Sequence, residues 1–421
     1  MSSFNIQPVR GTKDLFGDEI IKYNKIIEIA KANAFSFNFE ELQTPIFEFS
    51  EIYERNLGET SDIIAKEVYK FKDRSDHNLT LRPEFTAGVV RSLISNGELQ
   101  QVLPRKFFSY GPIFRYDRPQ KGRQRQFHQI NYEIFGEDSW YCDVEILLLA
   151  QQLLKNLNLQ QKVTLNINSL GCQETKKNYT TALSEYFNFH HNDLSEDSKK
   201  RLETNPLRIL DSKDQNDIAL INQAPIIADY YSPLALERFD KIISLLTKFS
   251  FNFTVNYRLV RGLDYYTSTV FEYVMEHEGA QNAVLAGGRY DNLVYDMSQK
   301  NISAIGFAAG VERLMMLSEN VKNSQDDDRA VIVSYISENE KDLAFNLVNR
   351  LRINGFKADF IFEGNFKKQM KRASQINAKY VIIIGENEVK NSELIVKNFD
   401  NSQEYKVKQD LIIHYLQGKK S

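Results

Sequence analysis

A chain of 421 residues exceeds what one hydrophobic core ordinarily organises, so two or three domains are expected, and 42% hydrophobic with 26% charged residues is the balance of a folded, soluble protein. Lys and Arg number 53 against 56 Asp and Glu, a net charge of -3, which excludes gripping nucleic acid by bulk surface charge; any such contact must be local. Two cysteines, Cys142 and Cys172, and six mostly scattered histidines exclude a disulfide framework and a four-thiolate zinc site, and the sequence reads as a cytoplasmic protein without structural metal. No apolar run approaches the roughly 18 residues that crossing a bilayer requires, and MSSFNIQPVRGTKD lacks the apolar stretch of a signal peptide.

Apolar residues at Ile20, Tyr23, Ile26, Ile27 and Ala30 predict a helix over 20–34, and FEELQTPIFE then turns extended. From there to Gly136 two-residue alternation outnumbers helical spacing, which predicts an antiparallel sheet. A helix is expected over 144–157. Residues 171 to about 253 then become polar and rich in Asn, Lys and Asp, a composition shift that reads as an insertion. Extended patterning resumes at NYRLVRGLDYYTSTVFEYVM, and SAIGFAAGVERLMML is read as a helix packed tightly on the sheet through Gly306 and Gly310. SENVKNSQDDD, 318–328, reads as a linker, beyond which strand and helix patterns alternate as far as YVIIIGE. That pattern predicts a small α/β domain with a mostly parallel sheet.

In LTLRPEFTAG, strand alternation puts Arg82, Glu84 and Thr86 on one face and Leu81, Pro83 and Phe85 on the other; a carboxylate beside a hydroxyl suits an ammonium group. FFSYGPIFRYD and RQFHQINYEIFG read as a hairpin whose tip carries Arg115, Arg118, Lys121, Arg123 and Arg125 against a single acid, Asp117. Its second strand places Phe127, Gln129, Asn131 and Glu133 on one face and His128, Ile130, Tyr132 and Ile134 on the other. Guanidinium forks match phosphate oxygens bidentately, so the tip suits a polyphosphate or a nucleic acid backbone. RGLDYYTSTVFE carries Arg261, Asp264, Tyr265 and Tyr266. Neighbours in a strand point to opposite faces, so at most one of the two tyrosines is expected in a pocket. In AGGRYD, Gly287 and Gly288 would let a ligand approach the backbone before Arg289, and in GFAAGVERL, Arg313 shares a helix face with Gly310. Each stretch alone also fits a solvated loop, a half-buried strand or a turn; arginines on several rigid elements would together make an anion clamp. No Walker-type glycine loop, G-x-G-x-x-G or H-E-x-x-H occurs.

These stretches, in this order, resemble the class II aminoacyl-tRNA synthetases. FEELQTPIFE is similar to motif 1, FRYDRPQKGRQRQFHQINYEIFG to motif 2 and GFAAGVERL to motif 3, while RGLDYYT, AGGRYD and LRPE resemble the histidyl-tRNA synthetase family specifically. The resemblance implies an α+β fold: a six-stranded antiparallel catalytic sheet flanked by helices over residues 1–325, a helical insertion at about 171–253 contacting tRNA, and an α/β anticodon-binding domain over 326–421. It implies a homodimer formed through the motif 1 region, with histidine, ATP accompanied by Mg²⁺, and tRNA(His) as substrates.

Carried over residue by residue, the resemblance implies that Arg115 holds the α-phosphate and Arg313 the γ-phosphate, with Asp117 and Arg123 also at ATP. Arg261 would neutralise charge developing between carboxylate and α-phosphate. Glu84, Thr86 and Gln129 would bind the α-amino group, and Glu133 and Tyr266, with Tyr265 beside them, would read the imidazole. Two positions depart from the family pattern: Phe85, where bacterial members commonly have Gly, and Asp117, where motif 2 often has Glu. Lys367, Lys368, Lys371 and Arg372 share a helix and suit anticodon-stem phosphates or, equally, a solvated face, as do Lys176, Lys177, Lys199, Lys200 and Arg201 of the insertion. A non-catalytic relative, such as a regulatory subunit of histidine biosynthesis or a tRNA-binding accessory protein, is the alternative. The retained arginines and RGLDYYT speak against it.

Overall fold

A computed structural model describes residues 6–54, 67–118, 123–275, 283–318, 329–362 and 364–418. Lys121 of the hairpin tip and most of the expected linker lie outside them. The chain divides into two units, Met1–Val321 and Lys322–Ser421.

The first unit begins with α1 (Asp18–Ser36), then β1 (Glu40–Glu41), β2 (Phe47–Phe49), α2 (Glu51–Glu54), β3 (Lys70–Lys72), β4 (Asn78–Leu81) and α3 (Thr86–Ser95). The long hairpin follows as β5 (Arg105–Phe114) and β6 (Gln126–Phe135), then α4 (Trp140–Asn156) and β7 (Val163–Ser169). Next comes a helical stretch, α5 (Gln173–Phe189), α6 (Glu196–Thr204), α7 (Gln215–Ile221) and α8 (Pro233–Lys248), and the unit closes with β8 (Phe253–Val255), β9 (Thr269–Met275), β10 (Ala283–Arg289), α9 (Asp291–Ser298), β11 (Ala304–Gly310) and α10 (Val311–Leu317).

The main sheet has eight strands in the order β1-β5-β6-β11-β10-β9-β7-β8 and is mixed, not the six-stranded antiparallel sheet expected from the sequence. Neighbours from β5 to β7 pair antiparallel, but β1 and β8 add to the edges in parallel. These edge strands are two and three residues long, too short for alternation to show in a sequence.

One face of the sheet carries the core. Ile130, Tyr132 and Ile134 of β6 pack there with Ile26, Ala30 and the fully buried Leu147, Leu149, Leu153 and Leu154, each leucine worth about 1.5–3 kcal/mol of burial. Tyr132 satisfies its hydroxyl by donating to the carbonyl of Ala30 at 2.9 Å. The alternate residues of the same strand face the other way, into a cavity. Arg289, which follows the Gly287–Gly288 pair, is structural. Fully buried, it forks onto Asp143 with Nε and Nη2 at 2.8–3.1 Å and also donates to the Glu137 and Ser139 carbonyls, locking the start of α4 to the end of β10.

The helices between β7 and β8 do not act as one body. α5, α6 and α7 bury Tyr179, Leu183, Phe187, Leu202 and Ile221 in a second core, which also takes in Leu259 and, from β9, Val270, whereas α8 contributes Phe239, Ile242 and Leu246 to the core of the sheet.

The second unit runs β12 (Val331–Tyr335), α11 (Lys341–Ile353), β13 (Ala358–Phe360), α12 (Phe366–Gln375), β14 (Tyr380–Ile384), α13 (Glu386–Lys390), β15 (Glu393–Asn398), β16 (Glu404–Lys408) and α14 (Ile412–Gln417). Its sheet, in the order β13-β12-β14-β15-β16, is half parallel rather than mostly so, because β15 and β16 form an antiparallel hairpin that the alternation reading stopped short of.

Candidate active site

The face of the main sheet opposite α1 and α4 floors a cavity of ≈ 1400 Å³, larger than the roughly 300–1,000 Å³ that one small ligand occupies and so sized for more than one substrate. Arg115, Asp117, Arg123, Arg261 and Arg313 line it together with Glu84, Thr86, Gln129, Glu133, Tyr265 and Tyr266. Every residue expected at an amino acid or at ATP therefore meets in one concavity.

At the deep end, Glu133 is 1% exposed and accepts from Thr86 Oγ1 at 2.6 Å, Asn131 Nδ2 at 3.0 Å and the Tyr290 hydroxyl at 2.5 Å. Burial raises its carboxyl to about 7, against the lowering effect of those three donors. Gly306 lies opposite Glu133 across the β6–β11 ladder, and a Cβ there would collide with the Glu133 carboxylate. Only a residue without a side chain leaves the carboxylate in place. Nearby, the amide oxygen of Gln129 is buried with no hydrogen-bond partner among the described residues and lines the cavity, where it can accept from a ligand's donor.

Glu84 departs from its expected setting. The chain leaves β4 at Leu81 and starts α3 at Thr86, so 82–86 is not a strand and the face-sharing argument for Glu84 and Thr86 does not hold. The Glu84 carboxylate instead accepts from the backbone amides of Thr86 at 2.6 Å and Ala87 at 2.7 Å, anchoring the start of α3. Phe85 is buried, with the Arg82 guanidinium 4.3 Å from its ring centre.

The tyrosine expectation also fails. Tyr265 and Tyr266 precede β9 in a stretch without strand geometry, so alternation does not apply; both line the cavity with ring centres 4.8 Å apart. Tyr290, which follows β10, stands 5.6 Å from Tyr265 by ring centres. It and Asn131 are site residues that the sequence reading passed over. Asn131 shared a face with Gln129 and Glu133 and could have been included; Tyr290 lay beyond a strand end, with no periodicity to place it.

At the cationic end four arginines converge, two from the β5–β6 hairpin tip, one from the stretch before β9 and one from α10, and each is held by a protein partner. Arg115 donates Nε to the Pro83 carbonyl at 2.8 Å, Arg123 pairs with Asp117 at 2.9 Å, Arg261 pairs with Glu272 at 2.7 Å, and Arg313 donates to the Ala283 carbonyl. Their convergence has an electrostatic signature. Burial lowers the Arg313 pKa first, and Arg123, Arg115 and Arg261 lower it further. Asp117 thus orients Arg123. Gly310, expected inside a helix, ends β11, and Ala304–Gly310 is a central strand; its small residues carry no clear period, and helix begins only at Val311, so Arg313 lies in its first turn.

In the second unit, Lys367, Lys368, Lys371 and Arg372 lie exposed on α12, which is anchored by the buried Gln369 through hydrogen bonds to Ser334, Tyr335 and Gly364.

A family model described as histidyl-tRNA synthetase matches residues 11–314, and one described as an anticodon binding domain matches 330–419. The chain is 48% identical to a histidine–tRNA ligase of Wolbachia sp. subsp. Brugia malayi (strain TRS), over 94% of this chain and 95% of that one. It is 43% identical to the histidine–tRNA ligase of Orientia tsutsugamushi (strain Ikeda), over 99% of both. The crystal structure of apo histidyl-tRNA synthetase from S. aureus superposes with a TM-score of 0.82 at 30% identity, covering 98% of this chain and 99% of that one. By its residues, its fold and these likenesses, the chain belongs to the histidyl-tRNA synthetase family.

Proposed function

We propose that this cavity is where histidine and ATP react, with Glu133 at one end and the arginines at the other. The chain is a histidine–tRNA ligase, an ATP-dependent enzyme that makes histidyl-adenylate and passes the histidyl group to the 3′ end of tRNA(His). In the first step a histidine carboxylate oxygen bonds to the α-phosphorus of ATP as the bond to the β-phosphate breaks and pyrophosphate leaves. No covalent enzyme intermediate is required, so catalysis rests on placement and on charge.

The roles are those the family resemblance implies, and the two-ended cavity supports them. Arg115 and Arg261 face the reacting carboxylate and α-phosphate, and Arg313 with Arg123 takes the outer phosphates. Gln129 accepts from the α-ammonium group; Glu84, committed to amides, contributes negative potential there, and Thr86 helps hold Glu133. Glu133, Tyr266, Tyr265 and Tyr290 surround the imidazole. A pocket that pairs both ring nitrogens rejects side chains lacking them by roughly 10⁴-fold or more, which removes the need for an editing domain. Mg²⁺ accompanies ATP as part of the substrate, carried on its phosphates.

We further propose a cytoplasmic homodimer with residues 326–421 binding the anticodon. Phe47, in the motif 1 stretch, stands exposed beside Phe49 and Phe71 on the small sheet β2-β4-β3, which supports the dimer. The basic face of α12, with Lys367, Lys368, Lys371 and Arg372, supports phosphate contact. Among the described residues no helix is long and apolar enough to cross a membrane.

The observation that carries the reading is the convergence of Arg115, Arg261 and Arg313 beside the Glu133 recess. Exchange of labelled pyrophosphate into ATP, run with each amino acid in turn, tests it: histidine alone should support exchange. Exchange with no amino acid would support the regulatory relative instead, a reading that near-full-length likeness to ligases disfavours.

A further inference from the structure

Arg261 sits on a stretch, 256–264, that has neither strand nor helix geometry to hold it. The helical segment between β7 and α8 grips that stretch from both ends. Arg258 reaches into the segment, donating Nε to the Ile221 carbonyl at 2.8 Å and Nη2 to the carbonyls of Asn222 and Ala224 at 3.0 Å. In the opposite direction Arg208 donates Nη1 to the Arg261 carbonyl at 2.9 Å, and its Nε lies 4.0 Å from Asp264 Oδ1. Asn205 donates to the same Asp264 oxygen at 2.9 Å.

Arg208 is 5% exposed, and its chain neighbours Leu207 and Ile209 are buried in the same core as Leu259 of that stretch. A guanidinium is costly to bury, and this one is used on a backbone carbonyl and a carboxylate that flank Gly262. Holding the Arg261 carbonyl fixes the 261–262 peptide plane and with it the Cα from which the Arg261 side chain departs. Glu272 on β9 then fixes the far end at 2.7 Å. Catalytic groups need supporting contacts of this kind, because a displacement of about 1 Å can cost roughly 10²-fold in rate.

We infer that Arg208 is a positioning residue for adenylate formation: through it, the inserted helical segment sets the backbone from which Arg261 reaches the reacting carboxylate and phosphate. The inference rests on the role proposed for Arg261. It makes the inserted segment part of the amino acid activation machinery even with no tRNA bound.

The test is pyrophosphate exchange by the full-length protein without tRNA. Arg208→Ala should lower kcat by roughly 10–10²-fold, with KM for histidine and ATP changed less than about threefold, and Arg208→Gln, which keeps a donor for the carbonyl, should recover most of the activity. In an Arg261→Ala background, Arg208→Ala should cost little more, since its effect passes through the missing side chain. If Arg208→Ala leaves kcat unchanged, or multiplies the Arg261→Ala defect in full, Arg208 does not position Arg261. If Arg261→Ala itself exchanges at the wild-type rate, the role of Arg261 falls and this inference with it, an outcome distinct from the other two. Should Arg208→Ala melt below the assay temperature, Asn205→Ala replaces it, with a smaller decrease confined to kcat and the same non-additivity expected; additivity overturns the inference.

Discussion

Two cationic clusters in this chain look alike as sequence and are opposite as structure. In the cavity, Arg115, Arg123, Arg261 and Arg313 are each half-buried and each tethered to a carbonyl or carboxylate. On α12, Lys367, Lys368, Lys371 and Arg372 are exposed and form no ion pair among the described residues. A tethered guanidinium has a fixed direction and can serve a transition state. An untethered one contributes a field, strong in sum and indifferent to angle.

The sharpest way to break this contrast is Arg261→Ala, expected to slow pyrophosphate exchange by roughly 10³-fold while circular dichroism stays native. Near-normal exchange would reduce the tethered cluster to scenery. Glu133→Gln extends the contrast to a tethered anion. It should lower kcat/KM for histidine by roughly 10²-fold, chiefly through KM, with KM for ATP unmoved; unchanged histidine affinity would refute the imidazole role.

The pH dependence of stability gives a third, smaller effect. Burial raises the Glu133 carboxyl from 4.5 to about 7, so between those values the folded protein keeps a proton that the unfolded chain has released. Stability from this group is therefore complete below 4.5 and declines as pH rises towards 7. The stability difference between Glu133→Gln and wild type should shift in the variant's favour across that window, by on the order of 1–3 kcal/mol in chemical denaturation. A difference independent of pH would mean that the carboxyl titrates normally. Smallest is the effect of replacing all four α12 cations by Gln. Exchange without tRNA should be unaffected, aminoacylation should show a raised KM for tRNA, and the salt slope of binding should fall by up to about 1 for each phosphate no longer neutralised. A change in exchange, or an unaltered salt slope, would erase the distinction between the clusters.

What the sequence disclosed depended on whether local periodicity governed the residue. Gln129 and Glu133 lie on a ten-residue strand, and alternation put them together correctly, on the face opposite Ile130 and Tyr132. Tyr265, Tyr266, Glu84 and Thr86 sit where strands have ended, so parity misassigned the first pair and lent the second a reason that does not apply. Gly306 and its alanine neighbours read as helix because small residues fit either geometry; the collision of a Cβ with the Glu133 carboxylate and the Tyr132 carbonyl, a tertiary fact, explains the glycine. Arg208 had no signal at all. It stands in a polar segment, and its significance comes from a carbonyl 53 positions away.

Gly306 bears on how this enzyme could be inhibited. The floor beneath the Glu133 carboxylate is bare main chain, so a compound resting on it would touch atoms that every amino acid shares. The usual route of escape, altering a side chain at the contact, would push Glu133 out of place. Resistance arising there would disable the bearer along with the drug.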